Sequence, residues 1–200
     1  MTEHIQRQRR PRTRAAVFAC ITAVALVADQ LTKVLAQTYL AGHRSVRVIP
    51  NMLSLTLVHN PGASLGMGPN MTWIIALLAI VACIVLVLLA SKTDSMLWTV
   101  WFALAFAGAF GNLIDRFAYA DGFLNGKVVD FLDYGWSVGN VADIFLMVAG
   151  VGIVVMILLM LAFIAGTAFV IKLCLDIPNQ DVTVSTKPGS AIVLPTAPEQ

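Results

Sequence analysis

Two aspartates stand thirteen positions apart, ahead of the last apolar run of the sequence: Asp130 in Val128-Val129-Asp130-Phe131 and Asp143 in Asn140-Val141-Ala142-Asp143. Two converging carboxylates are the minimum equipment for acid/base hydrolysis of an amide bond. Facing carboxylates do not both ionise easily, so one holds a proton. The ionised member would deprotonate a water and the protonated one would polarise the carbonyl. A reversal over 135–139 is needed to bring the two together. Asn140 is a plausible N-cap, which sets Asp143 near the third position of a helix, where the helix N-terminus favours an anion. A plainer reading is also open on the residues alone: Asp143 caps a helix and Asp130 is a solvated loop residue.

The elements that must position this pair are membrane spans. The 200 residues are 58% hydrophobic and 12% charged, with mean hydropathy +0.83. Soluble domains carry about 25% charged residues. An ionisable group close to hydrocarbon is costly and hence a functional candidate. Four apolar segments are long enough to cross a bilayer, over Ala15–Leu40, Met71–Ala90, Met96–Leu113 and Val141 to about Phe163; each covers the roughly 20 residues a span requires. The last run stays uncharged from Ile144 to Ile171, longer than a span needs. The net charge of +2 does not suggest a nucleic-acid partner.

Basic residues set the expected orientation. Arg7, Arg9, Arg10, Arg12 and Arg14 precede the first span, Lys92 lies in the second loop, and Lys172 and Lys187 follow the fourth span. That side is expected to be cytoplasmic, with both termini on it. The other side carries Arg44, Arg47, Arg116 and Lys127 among Asp115, Asp121, Asp130, Asp133 and Asp143. A basic start followed by an apolar run is also a secretory signal pattern. Here the run is too long and no small-x-small site closes it, so it is read as a span.

Further polar residues crowd the expected outer ends of the spans. Asp29 and Lys33 lie one helical turn apart in the first span, with Asp29 about 20 Å from its start. They are either a self-neutralising surface pair or an orienting pair near the site. Leu53-Ser54-Leu55-Thr56-Leu57 alternates as a half-buried strand does, with Ser45-Val46-Arg47-Val48 a weaker partner. A turn follows at Asn60-Pro61-Gly62-Ala63, and Gly66 and Gly68 lie beyond it. The third span is rich in Ala and Gly, and Gly108, Asn112, Asp115 and Arg116 share one of its faces. Such a face must meet protein, water or substrate; a lipid-accessible cleft along it, beside Asn112, is the expectation. Residues 117–139 carry turn signals and the interfacial aromatics Tyr119, Tyr134 and Trp136. Residues 1–14 read as a mobile basic arm and 176–200 as a disordered tail. Cys20, Cys83 and Cys174 read as small apolar packing residues, and His4, His43 and His59 are too scattered for a metal set.

Five motifs together resemble the lipoprotein signal peptidases, also called signal peptidase II, a family of bacterial membrane aspartyl peptidases. They are Asp29-Gln30-Leu31-Thr32-Lys33, Asn60-Pro61-Gly62-Ala63-Ser64, Gly111-Asn112-Leu113-Ile114-Asp115-Arg116, Val128-Val129-Asp130-Phe131 and Asn140-Val141-Ala142-Asp143. The resemblance covers residues 15 to 163. It implies an α-helical membrane fold of four transmembrane helices, both termini cytoplasmic, with a small β-sheet cradle on the outer face. Within a peptidase domain over 15–175, the cradle falls at about 41–70 and a flap at about 117–139. Asp130 and Asp143 become the catalytic dyad. Asn112, Arg116, Asn140, Asp29, Lys33, Asn60 and Gly62 bind substrate or shape the site, and Asp115 makes a structural ion pair. The implied substrate is a prolipoprotein whose cysteine already carries diacylglycerol, cut just before that cysteine. No metal or organic cofactor is implied, and the partners are that substrate and membrane lipids, with the enzyme a monomer in the bacterial cytoplasmic membrane. The family more often has an aromatic where Leu65 stands.

Rival readings fit less well. A transporter subunit would hold its ionisable groups at mid-membrane, whereas these aspartates cluster at one end. The other intramembrane aspartyl proteases carry Gly-x-Gly-Asp, which this sequence lacks. A scaffold without chemistry requires the aspartates to be dispensable.

Overall fold

The computed structural model describes residues 2–42, 45–62 and 72–176, with backbone alone over 2–11. Its elements run α1 (Thr2–Leu40), β1 (Val46–Ile49), β2 (Leu53–Asn60), α2 (Thr72–Lys92), α3 (Met96–Ala118), β3 (Val128–Asp133), β4 (Val138–Gly139) and α4 (Val141–Leu175). All four helices are long and apolar enough to cross a membrane. The expectations placed on Ala63, Ser64, Leu65, Gly66, Gly68, Arg44, His43 and the 177–200 tail lie outside the described residues.

The chain divides into two compact units at Leu158. The first contains α1 to α3, the sheet and the beginning of α4. The second, as described, is the helical stretch from Leu159 to Leu175, exposed throughout.

Helix ends follow from local chemistry. Ser95 caps α3, its hydroxyl accepting from the Trp98 N–H at 3.5 Å. At the start of α4, the Asn140 carbonyl oxygen Oδ1 accepts from the Asp143 N–H at 3.1 Å, and Asp143 Oδ2 accepts from the Asn140 N–H at 3.1 Å. This is a reciprocal capping box, and the cap expected at Asn140 is present.

The four strands form one antiparallel sheet in the order β1-β2-β3-β4. Asn51, at φ 60°, turns β1 into β2, with the Met52 N–H donating to the Ile49 carbonyl at 3.1 Å. Gly135 (φ 85°) and Trp136 make the two-residue loop from β3 to β4, closed by the Tyr134 N–H on the Ser137 carbonyl at 2.9 Å. A positive φ at the first loop position is what glycine permits and what the twist of a tight hairpin demands. An irregularity between Leu55 and Val58 resets the register so that Val58 faces Asp130 and Asn60 faces Val128.

Small residues fill the helix contacts, as expected where backbones approach in lipid. Ala25, Ala103, Ala107, Ala142 and Ala149 are buried, while the large apolar side chains of α2 and of α4 point outward. A Cβ on Gly108 would lie 2.5 Å from the Ala142 carbonyl oxygen and 2.7 Å from Leu146 Cγ. The small face of α3 therefore packs against α4 at Gly108, and the cavity beside Asn112 opens further along the same face, lined by Asn112 and Arg116.

The 1–14 arm, expected to be mobile, is helical from Thr2 onward and continuous with the span; its Gln and Arg are good helix formers joined to an existing helix. The third helix runs past its apolar stretch through Asp115 and Arg116 to Ala118, its last polar residues finding protein partners. Within 117–139, residues 128–133 are an inner strand of the sheet and 138–139 its edge.

Candidate active site

Asp130 stands on β3, 2% exposed, between the buried Val129 and Phe131. Asp143 stands in the first turn of α4, half-buried. The two carboxylates are joined through amides. Asn140 Nδ2 donates to Asp130 Oδ1 at 2.6 Å and to Asn112 Oδ1 at 3.0 Å. Asn112 Nδ2 donates to Asp143 Oδ1 at 2.8 Å. Asn60 Nδ2 donates to Asp130 Oδ2 at 2.8 Å. Asn60 reaches it as a diagonal neighbour on one face of the β2–β3 pair.

The amide orientations are fixed from below. Lys33 Nζ donates to Asn112 Oδ1 at 3.1 Å, so that oxygen already has an ammonium and an amide donor. The Asn112 NH₂ group is thereby turned toward Asp143. Lys33 itself lies 2.9 Å from Asp29 Oδ2 and 2.8 Å from Asp115 Oδ2, all three side chains almost fully buried. Of the two readings open for Asp29 and Lys33, the surface pair does not fit, since both side chains are buried. Asp29 Oδ1 accepts from the Ala142 N–H at 2.9 Å, and Asp115 Oδ2 accepts from the Val129 N–H at 3.0 Å. One ion cluster thus ties α1 and α3 to the start of α4 and to β3, the two elements that carry the aspartates. The ion pair of Asp115 is with Lys33.

Asn60, Gly62, Asn112, Arg116, Asp130 and Asp143 line one cavity of about 620 Å³. Ile75, Val128, Val138, Ile144 and Met147 supply apolar walls, and Tyr134 and Trp136 stand on its rim. Asn140, Asp29 and Lys33 are not among its lining residues; at 0 to 2% exposure they lie buried behind it. Gly62 (φ 98°) donates its N–H to Asn60 Oδ1 at 2.8 Å, and a Cβ there would lie 2.6 Å from Ile75 Cδ1. A glycine is needed both for the conformation and for the space.

Burial pushes the Asp130 carboxyl up to about 6, and the nearby Asp143 charge adds to the rise. The donors Asn60 and Asn140 and the more distant Lys33 charge pull the other way. Burial and the Asp143 charge also raise the Tyr134 phenol.

Sequence reasoning missed Gln30. Its Nε2 reaches Asp29 Oδ2, the Gly111 carbonyl and Asp115 Oδ1 at 3.1, 3.2 and 3.3 Å. The available signal was an amide beside an aspartate inside an apolar span, which lipid cannot satisfy. Gly111 and Gly139 were missed as well. A Cβ on Gly111 would lie 2.6 Å from Asp29 Oδ2, and one on Gly139 2.9 Å from Asp143 Oδ2.

Comparison with known proteins places the chain in a family. A family model described as signal peptidase (SPase) II matches residues 21–162. A lipoprotein signal peptidase of Bifidobacterium adolescentis is 68% identical over 152 residues, which is 76% of this chain and 81% of that protein. One from Mycobacterium leprae is 38% identical over 147 residues, 73% of each chain. A solved structure described as a bacterial membrane enzyme superposes with TM-score 0.63 at 31% identity, covering 72% of this chain and 93% of that one. Since the family match takes in the whole of the amide-bridged aspartate site, the chain belongs to the signal peptidase II family and is a multi-pass membrane peptidase.

Proposed function

We propose that this protein is an aspartyl endopeptidase that removes the signal peptide from diacylglyceryl-modified prolipoproteins, cutting just before the lipidated cysteine. The observation that carries this reading is the amide bridge between Asp130 and Asp143 at the edge of a cavity with apolar walls.

Asp143 is the base. Its two oxygens accept from Asn112 Nδ2 and from the Asn140 N–H in the first turn of a helix, where an anion is favoured. Asp130 is the acid, burial raising its carboxyl to about 6 so that it takes up a proton more readily than an exposed aspartate. A water between them loses a proton to Asp143 as its oxygen attacks the scissile carbonyl, and Asp130 donates to the carbonyl oxygen. Collapse of the tetrahedral intermediate returns a proton to the leaving nitrogen.

Asn60, Gly62 and Arg116 contact the peptide, while Asn112 and Asn140 hold the dyad. Asp29, Lys33 and Asp115 brace it. Ile75, Ile144 and Met147 take the acyl chains, and the substrate enters from the lipid. The bias of basic residues supports both termini in the cytoplasm and the sheet on the outer face of the bacterial cytoplasmic membrane. The enzyme works as a monomer.

Two acyl chains anchor a substrate in the bilayer, each buried methylene adding about 0.8 kcal/mol. Purified enzyme should therefore cleave a diacylglyceryl precursor efficiently and the same unmodified sequence very slowly. Equal rates on both in one detergent would contradict the lipid-dependent reading.

A further inference from the structure

Arg116 brings a buried cation to the cavity that holds the two aspartates. It is 7% exposed and lines that cavity, where the other charged lining residues are Asp130 and Asp143. Its charge interacts with both of them and with Asp115. A guanidinium has five N–H donors in a planar fork. Among the described residues one protein acceptor is engaged, the Gly126 carbonyl, at 3.3 Å from Nη1. The sealed-in side-chain polar atoms without a partner, among the described residues, are Thr22 Oγ1 and Trp101 Nε1, so the remaining Arg116 donors are not sealed in, and the residue lines the cavity. A side chain at Gly62 would press on the guanidinium: a Cβ there would lie 3.6 Å from Nη2 and 3.8 Å from Nη1.

Peptide hydrolysis changes the charge in this cavity. A neutral amide and a water become a carboxylate and an ammonium. The C–N bond breaks, the water oxygen bonds to the carbonyl carbon, and both water hydrogens end on the amine nitrogen. The new carboxylate forms beside two acidic side chains, at least one of them ionised, in a site with apolar walls. A spare planar guanidinium matches a carboxylate bidentately, and a charge-assisted pair is roughly twice as strong as a bond to a neutral carbonyl.

We propose that Arg116 is a product-carboxylate site: its free donors hold the new C-terminal carboxylate of the cleaved signal peptide, so that this product inhibits the enzyme until it leaves. The proposal rests on the signal-peptidase reading above, and adds to substrate contact a preference for the charged product.

The test uses a synthetic signal peptide ending at the residue before the cysteine, as free acid and as C-terminal amide. Each is titrated as an inhibitor of diacylglyceryl-precursor cleavage at one pH near neutrality. The acid should inhibit about tenfold more tightly than the amide. Arg116→Gln, checked for folding by its thermal transition, should bring the two together through loss of the acid's advantage. Arg116→Lys, which keeps the charge without the fork, should retain part of it. Cleavage of the precursor with equal inhibition by acid and amide would overturn the product site and leave the peptidase reading intact. An unchanged acid preference in Arg116→Gln, or in Arg116→Lys where the glutamine variant does not fold, would equally overturn it. Failure to cleave the precursor at all would instead remove the reading on which the product site rests.

Discussion

Asn140 donates through Nδ2 to Oδ1 of Asp130 at 2.6 Å, from a residue that also caps the helix bearing Asp143. Capping and bridging are separable by substitution. Serine caps helices well, but cannot supply the two Nδ2 bonds. Asn140→Ser should keep the cap and still lower turnover at least about tenfold. Asn140→Ala should lose turnover similarly and also lose the cap, for about 1 kcal/mol more destabilisation. Thermal transitions of the two variants, set beside their cleavage rates, check this; full activity in the serine variant would remove the bridge from the mechanism.

Lys33 neutralises two buried carboxylates at once, Asp29 and Asp115. Lys33→Met should cost roughly 3–5 kcal/mol, because it leaves buried charge uncompensated. Adding Asp115→Asn should recover part of that loss. A melting temperature unchanged by Lys33→Met would show that the cluster does not brace the site.

The cavity proposed to take the acyl chains is walled by Ile75 of α2 and by Ile144 and Met147 of α4, with Asn112 and Arg116 of α3 also lining it. Met147 is 64% exposed on the cavity wall, so Met147→Trp should narrow the cleft, raise KM for the lipidated precursor several-fold and leave stability within about 0.5 kcal/mol. Gly108→Leu should instead prevent folding, since its side chain would enter the Ala142 backbone and Leu146. A well-folded Gly108→Leu variant with wild-type stability would contradict the α3–α4 packing.

The proton on Asp130 predicts the alkaline side of the activity profile. Its folded value is raised to about 6, and in the proposed mechanism the protonated form is the active acid. As pH rises through that value the acid is lost, so kcat/KM should fall with a limb near pH 6, tending to tenfold per pH unit. The same shift bears on stability. The folded protein binds a proton that the unfolded chain releases near pH 4, so this group's contribution favours folding most below pH 4 and declines between about 4 and 6. A kcat/KM profile flat from pH 5 to 8 would show that the proton is not held there.

Much of this arrangement is legible from residue spacing. Uncharged runs give the spans, and Asn140 three positions before Asp143 gives a cap and its partner. Asp29 and Lys33 at i,i+4 give an ion pair. That Lys33 also reaches Asp115 and Asn112 depends on which faces of α1 and α3 meet, and no local pattern encodes that. The strand at 128–133 is hidden for a different reason: Val128 to Phe131 are buried on both faces, so the alternation that reveals β2 is absent. That α3 carries Asp115 and Arg116 on the face of Gly108 and Asn112 is legible from spacing; that both are buried against protein rather than water depends on tertiary packing. Gln30 passes unnoticed since an amide carries no charge to mark it.

The two-aspartate mechanism is tested most directly by cleavage of a diacylglyceryl prolipoprotein by Asp130→Asn and Asp143→Asn, with the exposed Asp94→Asn as control. Each dyad variant should remain folded and inserted, and each should lose roughly 10²–10⁴-fold in rate, the scale of removing a general acid or base. The control should cleave as the unaltered enzyme does. Near-normal turnover by either dyad variant would contradict the account.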